Sequence, residues 1–311
     1  MLEKRPLLYD LSPILQLILF FAVIVVSLLI SLFLGLLVGL PFFGIDMIAN
    51  LAGGADINLI DNLNMLKYLQ IVNQLGLFVF PALAFAFLVN RNVADYLSLI
   101  KGPKLISILS GTVLIFMVLP FLHFLSDINE MINLPEFLSG LERWMINSEE
   151  RAQELTEAFI NVKTYPGFII NILMIAILPA IGEEFLFRGV LLKLFRELFN
   201  NIHVTVIISA ILFSAMHLQF YGFLPRFFLG VVLGYIFVWS GSLWLPIIIH
   251  FFNNAMAVVV IFYLNRSGRE ADIAEIGSSQ SPYVIILSAI LVGLLMIFIY
   301  SYEAKFRKQN L

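Results

Sequence analysis

Apolar residues dominate eight stretches of the chain, at about 14–40, 65–89, 105–125, 167–190, 203–219, 226–240, 243–264 and 282–302. Several exceed the roughly 18 residues that mark a membrane-spanning helix. The pattern predicts an all-α polytopic membrane protein with about eight transmembrane helices. The first stretch, Ile14 to Leu40, is too long for a signal-peptide core and has no A-x-A-like cleavage pattern, so it is expected to be retained as a span.

The polar segments between the stretches alternate in charge. The N-terminus (Lys4, Arg5), the 90–104 loop (Arg91, Lys101, Lys104), the 193–201 turn (Lys193, Arg196) and the C-terminus (Lys305, Arg307, Lys308) are basic. The 41–64 loop carries Asp46, Asp56 and Asp61 with no base, and the 126–165 segment carries eight acids against three bases. Basic segments face the cytoplasm, so both termini are expected there. Within 126–165, Leu141, Trp144, Met145, Leu155 and Phe159 recur among charges, which predicts amphipathic helix near the surface.

Composition agrees with this picture. The chain has 311 residues, is 61% hydrophobic and 13% charged, and has a mean hydropathy of +0.98. It has no cysteine and four histidines, so neither disulfides nor thiolate chemistry is available, and a metal would need His and carboxylate ligands. The G-x-x-x-G pairs Gly35/Gly39 and Gly230/Gly234 predict close helix packing. No internal repeat stands out, which weakens an inverted-repeat transporter reading.

The chemistry resides in polar groups inside the spans. Glu183, Glu184 and Arg188 form one cluster, Phe213 and His217 a second, His250 and Asn254 a third, and Asn73 with Gln74 a fourth. An ionisable group in hydrocarbon costs at least ~2.5–3.5 kcal/mol, so these are functional-site candidates by default. Members of the first three clusters lie at i, i+4 spacing, which on a helix puts them on one face. Glu183 is 17 residues before Asn200 and His217 is 16 after Asn201, so back-to-back helices would bring both to one level, ~25 Å from the turn. His250 joins them if that hairpin protrudes ~12 Å beyond the Gly241–Ser242 turn. The same arithmetic sets the cluster nearer the cytoplasmic face, with access from that side. Glu184 and Arg188 read as a structural ion pair. Asn73 and Gln74 read as interhelical hydrogen-bonding groups, and His123 and His203 as interfacial.

Glu183 and His217 sharing a water, opposite His250 and an Asn254 amide able to donate to an oxyanion, have the parts of a peptide hydrolase. Glu183, His217 and His250 are also candidate ligands for zinc, although their intervals do not form the H-E-x-x-H pattern. The ordered motifs E-E-x-x-x-R (Glu183, Glu184, Arg188), F-x-x-x-H (Phe213 to His217) and H-x-x-x-N (His250 to Asn254) resemble the CAAX protease and bacteriocin-processing (Abi) family of intramembrane proteases, which includes the type II CAAX prenyl endopeptidases. The resemblance covers about Pro166 to Leu264 and includes R-F-F-L-G-V-V-L-G and S-G-S-L-W-L-P. It implies an intramembrane catalytic cavity with Glu183 as base, His217 its partner on the water, and His250 with Asn254 as the oxyanion hole. Family members are commonly labelled metalloproteases, and a metal-free glutamate mechanism is also argued.

The expected organisation is N-terminal transmembrane helices (1–125), an acidic extracytoplasmic loop (126–165), a CAAX protease-like catalytic core (166–264), and a C-terminal loop with the last helix (265–311). The expected setting is a bacterial cytoplasmic membrane. Expected partners are the bilayer and a peptide or protein substrate, membrane-anchored or prenylated, with no nucleic acid. A proton-coupled transporter and a catalytically inert membrane scaffold are the competing readings.

Overall fold

The computed structural model describes residues 6–8, 10–46, 62–132, 134–268 and 277–309, with side chains through residue 305. Lys4, Arg5, Asp56 and Asp61, and the side chains of Arg307 and Lys308, on which part of the charge alternation rests, lie outside the described residues. Among the described residues the fold is helical. Besides the short helical turns Val93–Tyr96 and Glu136–Leu138, the helices are α1 Pro13–Phe43, α2 Leu63–Val89, α3 Leu105–Glu130, α4 Ser139–Ile160, α5 Tyr165–Phe199, α6 Ile202–Ala215, α7 Phe223–Ser240, α8 Trp244–Arg266 and α9 Pro282–Gln309. Seven of them, all but α4 and α6, are long and apolar enough to cross a membrane. This is a polytopic membrane protein.

Local sequence explains the ends. Ser12 caps α1 by accepting from Leu15 N, with proline at the first helical position, and Thr164 caps α5 in the same way through Gly167 N. Asn200 closes α5 in the left-handed conformation (φ 49°), and the next residue, Asn201, caps α6 by accepting from His203 N and Val204 N. Asparagine tolerates both roles, so two residues turn the chain through a hairpin. Gly241 (φ 62°) ends α7.

The fifth apolar stretch differs from expectation. In place of a helix over 203–219, α6 stops at Ala215 after 14 residues, a length of ~21 Å. Ser214 Oγ donates to Phe223 O and Leu218 takes φ 52°, so residues 216–222 form an irregular turn. From the hairpin, α6 and this turn lead to α4, where Tyr221 N donates to Glu149 at 3.2 Å. Irregular backbone at membrane depth is tolerated where it is buried in protein or lines a polar cavity.

Close packing holds the bundle together, because lipid tails are as apolar as leucine and burial alone gives helices little reason to associate. The predicted small-residue contacts are present. A Cβ on Gly35 would stand 2.6 Å from Val72 Cγ1, one on Gly230 3.0 Å from Ala210 Cβ, and one on Gly234 3.0 Å from Val206 Cγ1. The 90–104 loop ties three helices at one end. Lys101 Nζ binds Ser240 O, Trp244 Nε1 donates to Leu99 O at 2.8 Å, and Lys193 Nζ binds Ser98 Oγ and Tyr96 O. Six residues of α5 follow Lys193, so the hairpin reaches ~9 Å past this loop, close to the predicted protrusion. At the other end α4, the amphipathic helix expected in 126–165, lies across the bundle with Trp144 against Phe220 at 5.4 Å.

Three turns in the spans are widened to π geometry: Leu75–Val79 in α2, and Ile172–Ile177 and Phe185–Leu191 in α5. The first two immediately precede Pro81 and Pro179, whose rings exclude the regular bond to the residue four earlier. No proline accompanies the third. It follows Glu183–Glu184 directly and contains Arg188, and such widened turns are frequent at functional sites.

Candidate active site

Glu183, His217, His250 and Asn254 line one cavity of about 140 Å³, together with Ile115, Phe213, Arg226, Leu229, Leu233 and Asn253. The convergence drawn from helix lengths is therefore present in space. Glu183 comes from α5, His250 and Asn254 from α8, and His217 from the turn after α6. His217 was expected on the helix. It sits two residues past the helix end, yet its Nδ1 still meets Phe213 O at 2.9 Å. A carbonyl can only accept, so Nδ1 carries the proton and Nε2 is left for the cavity.

Glu184 and Arg188 pair as expected, Arg188 Nη1 to Glu184 Oε1 at 2.8 Å, with both side chains buried. The pair is part of a larger arrangement. Arg188 Nη2 donates to Gly230 O at 3.0 Å and the guanidinium lies over the Phe213 ring at 4.8 Å. Glu184 Oε1 also accepts from His250 Nδ1 at 2.9 Å. One carboxylate oxygen thus joins the ion pair to the histidine, fixing the ring so that Nε2 faces Glu183 Oε2, 3.8 Å away. That separation is too long for a hydrogen bond. Asn254 is oriented similarly: its Oδ1 accepts from Asn253 Nδ2 at 3.0 Å, which leaves its own amide N–H groups as donors.

Among the described residues no three His, Asp or Glu side chains are grouped so as to hold a metal ion. Glu184 Oε1 is engaged by Arg188 and by His250 Nδ1 and so stands apart from the three residues named as candidate ligands.

The cavity adjoins, at Arg226, a larger one of about 820 Å³ beneath α4, lined by Glu130, Glu149, Glu157, Gln219 and Tyr221 among others. This vestibule lies at the α4 end of the bundle, opposite the 90–104 loop. Gln219, Tyr221 and Gly222 of the 216–222 turn form part of its wall.

Comparison with known proteins bears on residues 165–256, which match the family model of Rce1-like type II CAAX prenyl endopeptidases. The match contains all four cavity residues named from the sequence. The resemblance to the CAAX protease family holds. The membrane-embedded CAAX protease MroQ of Staphylococcus aureus is 36% identical over 104 residues, 30% of this chain and 40% of that protein. An uncharacterized 24.3 kDa protein of Escherichia coli is 33% identical over 100 residues, 31% of this chain and 46% of that protein. The uncharacterized protein YpbD of Bacillus subtilis is 27% identical over 117 residues, 36% of this chain and 57% of that protein. The chain thus spans about half the length of the curated relatives it matches. No solved structure matches it.

Three residues at the CAAX protease-like site were not singled out for it from the sequence. Gln74 on α2 donates its Nε2–H to Glu183 Oε1 at 3.2 Å, although Glu183 has no partner in its own helix. Arg226 stands between the two cavities, held by Gln219 O at 3.0 Å and Gln219 Oε1 at 2.6 Å. Asn253 fixes the Asn254 amide. Asn253 and Arg226 lie within the stretches that carry the resemblance, so charge or amide at an apolar depth was the signal available. His203, expected at the interface, is exposed and meets the Tyr235 hydroxyl at 2.7 Å.

Proposed function

We propose that this chain is an intramembrane endopeptidase that hydrolyses a peptide bond of a membrane-anchored substrate, of the prenylated class named in the matching family. The supporting observation is the convergence of Glu183, His217, His250 and Asn254 on one buried cavity. Glu183 Oε2 takes a proton from a water that also bonds His217 Nε2, and the hydroxide adds to the scissile carbonyl. The oxyanion that forms is met by the Asn254 amide N–H and by Nε2–H of a protonated His250, whose other N–H is held by Glu184. Glu183 then returns its proton to the leaving amine, which closes the cycle without a covalent intermediate. The substrate strand reaches the cavity through the vestibule beneath α4. No step needs a metal.

Detergent-purified protein should cleave a lipidated reporter peptide, and Glu183→Gln should lower kcat by roughly 10²- to 10⁴-fold, the range for loss of a general base, with an unchanged unfolding temperature. Solute or proton uptake into proteoliposomes without any cleavage would favour the transporter reading. Absence of both activities would leave the scaffold.

A further inference from the structure

Gln74 lies 109 residues from the carboxylate it touches, outside the segment that the family match covers. It is only 4% exposed and follows Asn73, at the point where the helix continues as the wholly apolar run Leu75 to Val89. Two backbone features bring it there. Gly182 lets α2 and α5 approach, since a Cβ at that position would stand 2.9 Å from Phe78 Cβ and 3.1 Å from Val79 Cγ2. The widened turn Leu75–Val79 begins directly after Gln74, so the side chain faces α5 from the last regular turn before the helix changes phase.

We propose that Gln74 is a positioning residue for Glu183, an assignment that rests on reading Glu183 as the general base. A glutamate turns freely about its last bond, and a water in the cavity meets the base only if one oxygen is kept toward it. The Gln74 amide holds Oε1 on the α2 side. Oε2, the oxygen 3.8 Å from His250 Nε2, is thereby presented where His217, His250 and Asn254 converge. An amide suits this task better than a cation would, because it orients the carboxylate without a positive charge that would weaken it as a base. A hydrogen bond serving packing alone could end on any buried acceptor. This one ends on the reacting group.

The test compares Gln74→Met, Gln74→His and Glu183→Gln in detergent, with kcat, KM and unfolding temperature measured on one reporter peptide. Gln74→Met should lower kcat roughly 10- to 100-fold, the worth of a hydrogen bond to a charged group, with KM and unfolding temperature unchanged. Gln74→His, which keeps an N–H donor at similar reach, should retain most of kcat and serves if the Met variant fails to fold. Full kcat in Gln74→Met, a loss that tracks its unfolding temperature, or a folded Gln74→His as slow as the Met variant would each overturn the assignment. If Glu183→Gln is inactive while Gln74→Met is fully active, only the role of Gln74 falls. If Glu183→Gln still cleaves, the base reading itself is wrong.

Discussion

Helices α1 and α5 are the two longest apolar spans, 31 and 35 residues, and they use that length in opposite ways. The most apolar stretch of α1 is 11% buried, whereas that of α5 is 50% buried. Ile18, Val25, Leu29 and Phe33 on α1 point outward, and the α1 residues that touch the protein include the small or polar Gln16, Ser31, Gly35 and Gly39. On α5 the buried set includes Glu183, Glu184 and Arg188. Polar and small residues thus sit on the protein-facing sides of both helices, on α5 alongside large apolar side chains such as Phe185, Leu186 and Phe187.

Substitutions can break or sharpen that contrast. Arg188→Ala should have the largest effect on stability, about 3–5 kcal/mol, because Glu184 would be left buried with only His250 to meet it. The check is thermal unfolding and folded yield in detergent, and full stability with selective loss of cleavage would move Arg188 into the reacting set. Asn254→Ala should cost roughly 10²- to 10³-fold in kcat, the usual loss for one oxyanion donor, with no change in unfolding temperature. Asn253→Ala, which only frees the Asn254 amide to rotate, should cost roughly tenfold, about one hydrogen bond. At the other extreme, Leu29→Ala and Val26→Ala on the outer face of α1 should stay within about 0.5 kcal/mol of the parent. A loss of several times that would mean that something other than lipid covers this face.

Much of this was legible in the sequence, for identifiable reasons. The runs located the spans because backbone groups in a bilayer must be satisfied within the helix, so length and hydropathy suffice. The paired glutamates, two histidines and Asn254 were legible because a polar group at that depth is costly. The end of α6 was not, since Met216, His217, Leu218 and Gln219 contain no glycine or proline, and a leucine at positive φ carries no signal. Gln74 was visible as a polar residue in an apolar span, but its partner depends on how α2 packs on Gly182. Glu303 belongs to the same class. It lies in the basic C-terminal segment, is buried, and meets Lys104 Nζ at 2.8 Å as well as Ser107 Oγ, fastening α9 to α3.

The widened turn Phe185–Leu191 has a consequence for how this span can vary in length. A π turn takes up one residue more than the regular ladder, so everything after it is rotated by about 100° relative to an uninterrupted helix. Lys193 faces Ser98 at 3.0 Å in the rotated setting. Deleting one residue between 185 and 191 would let the ladder close regularly with Lys193 still facing the loop, whereas straightening the turn at the present length would swing Lys193 away by about 100°. In α1, whose outer face is exposed and apolar, a rotation of that size would exchange one apolar side chain for another. Helix α5 thus behaves as a keyed shaft, whose angular setting is inherited by the hairpin at its far end.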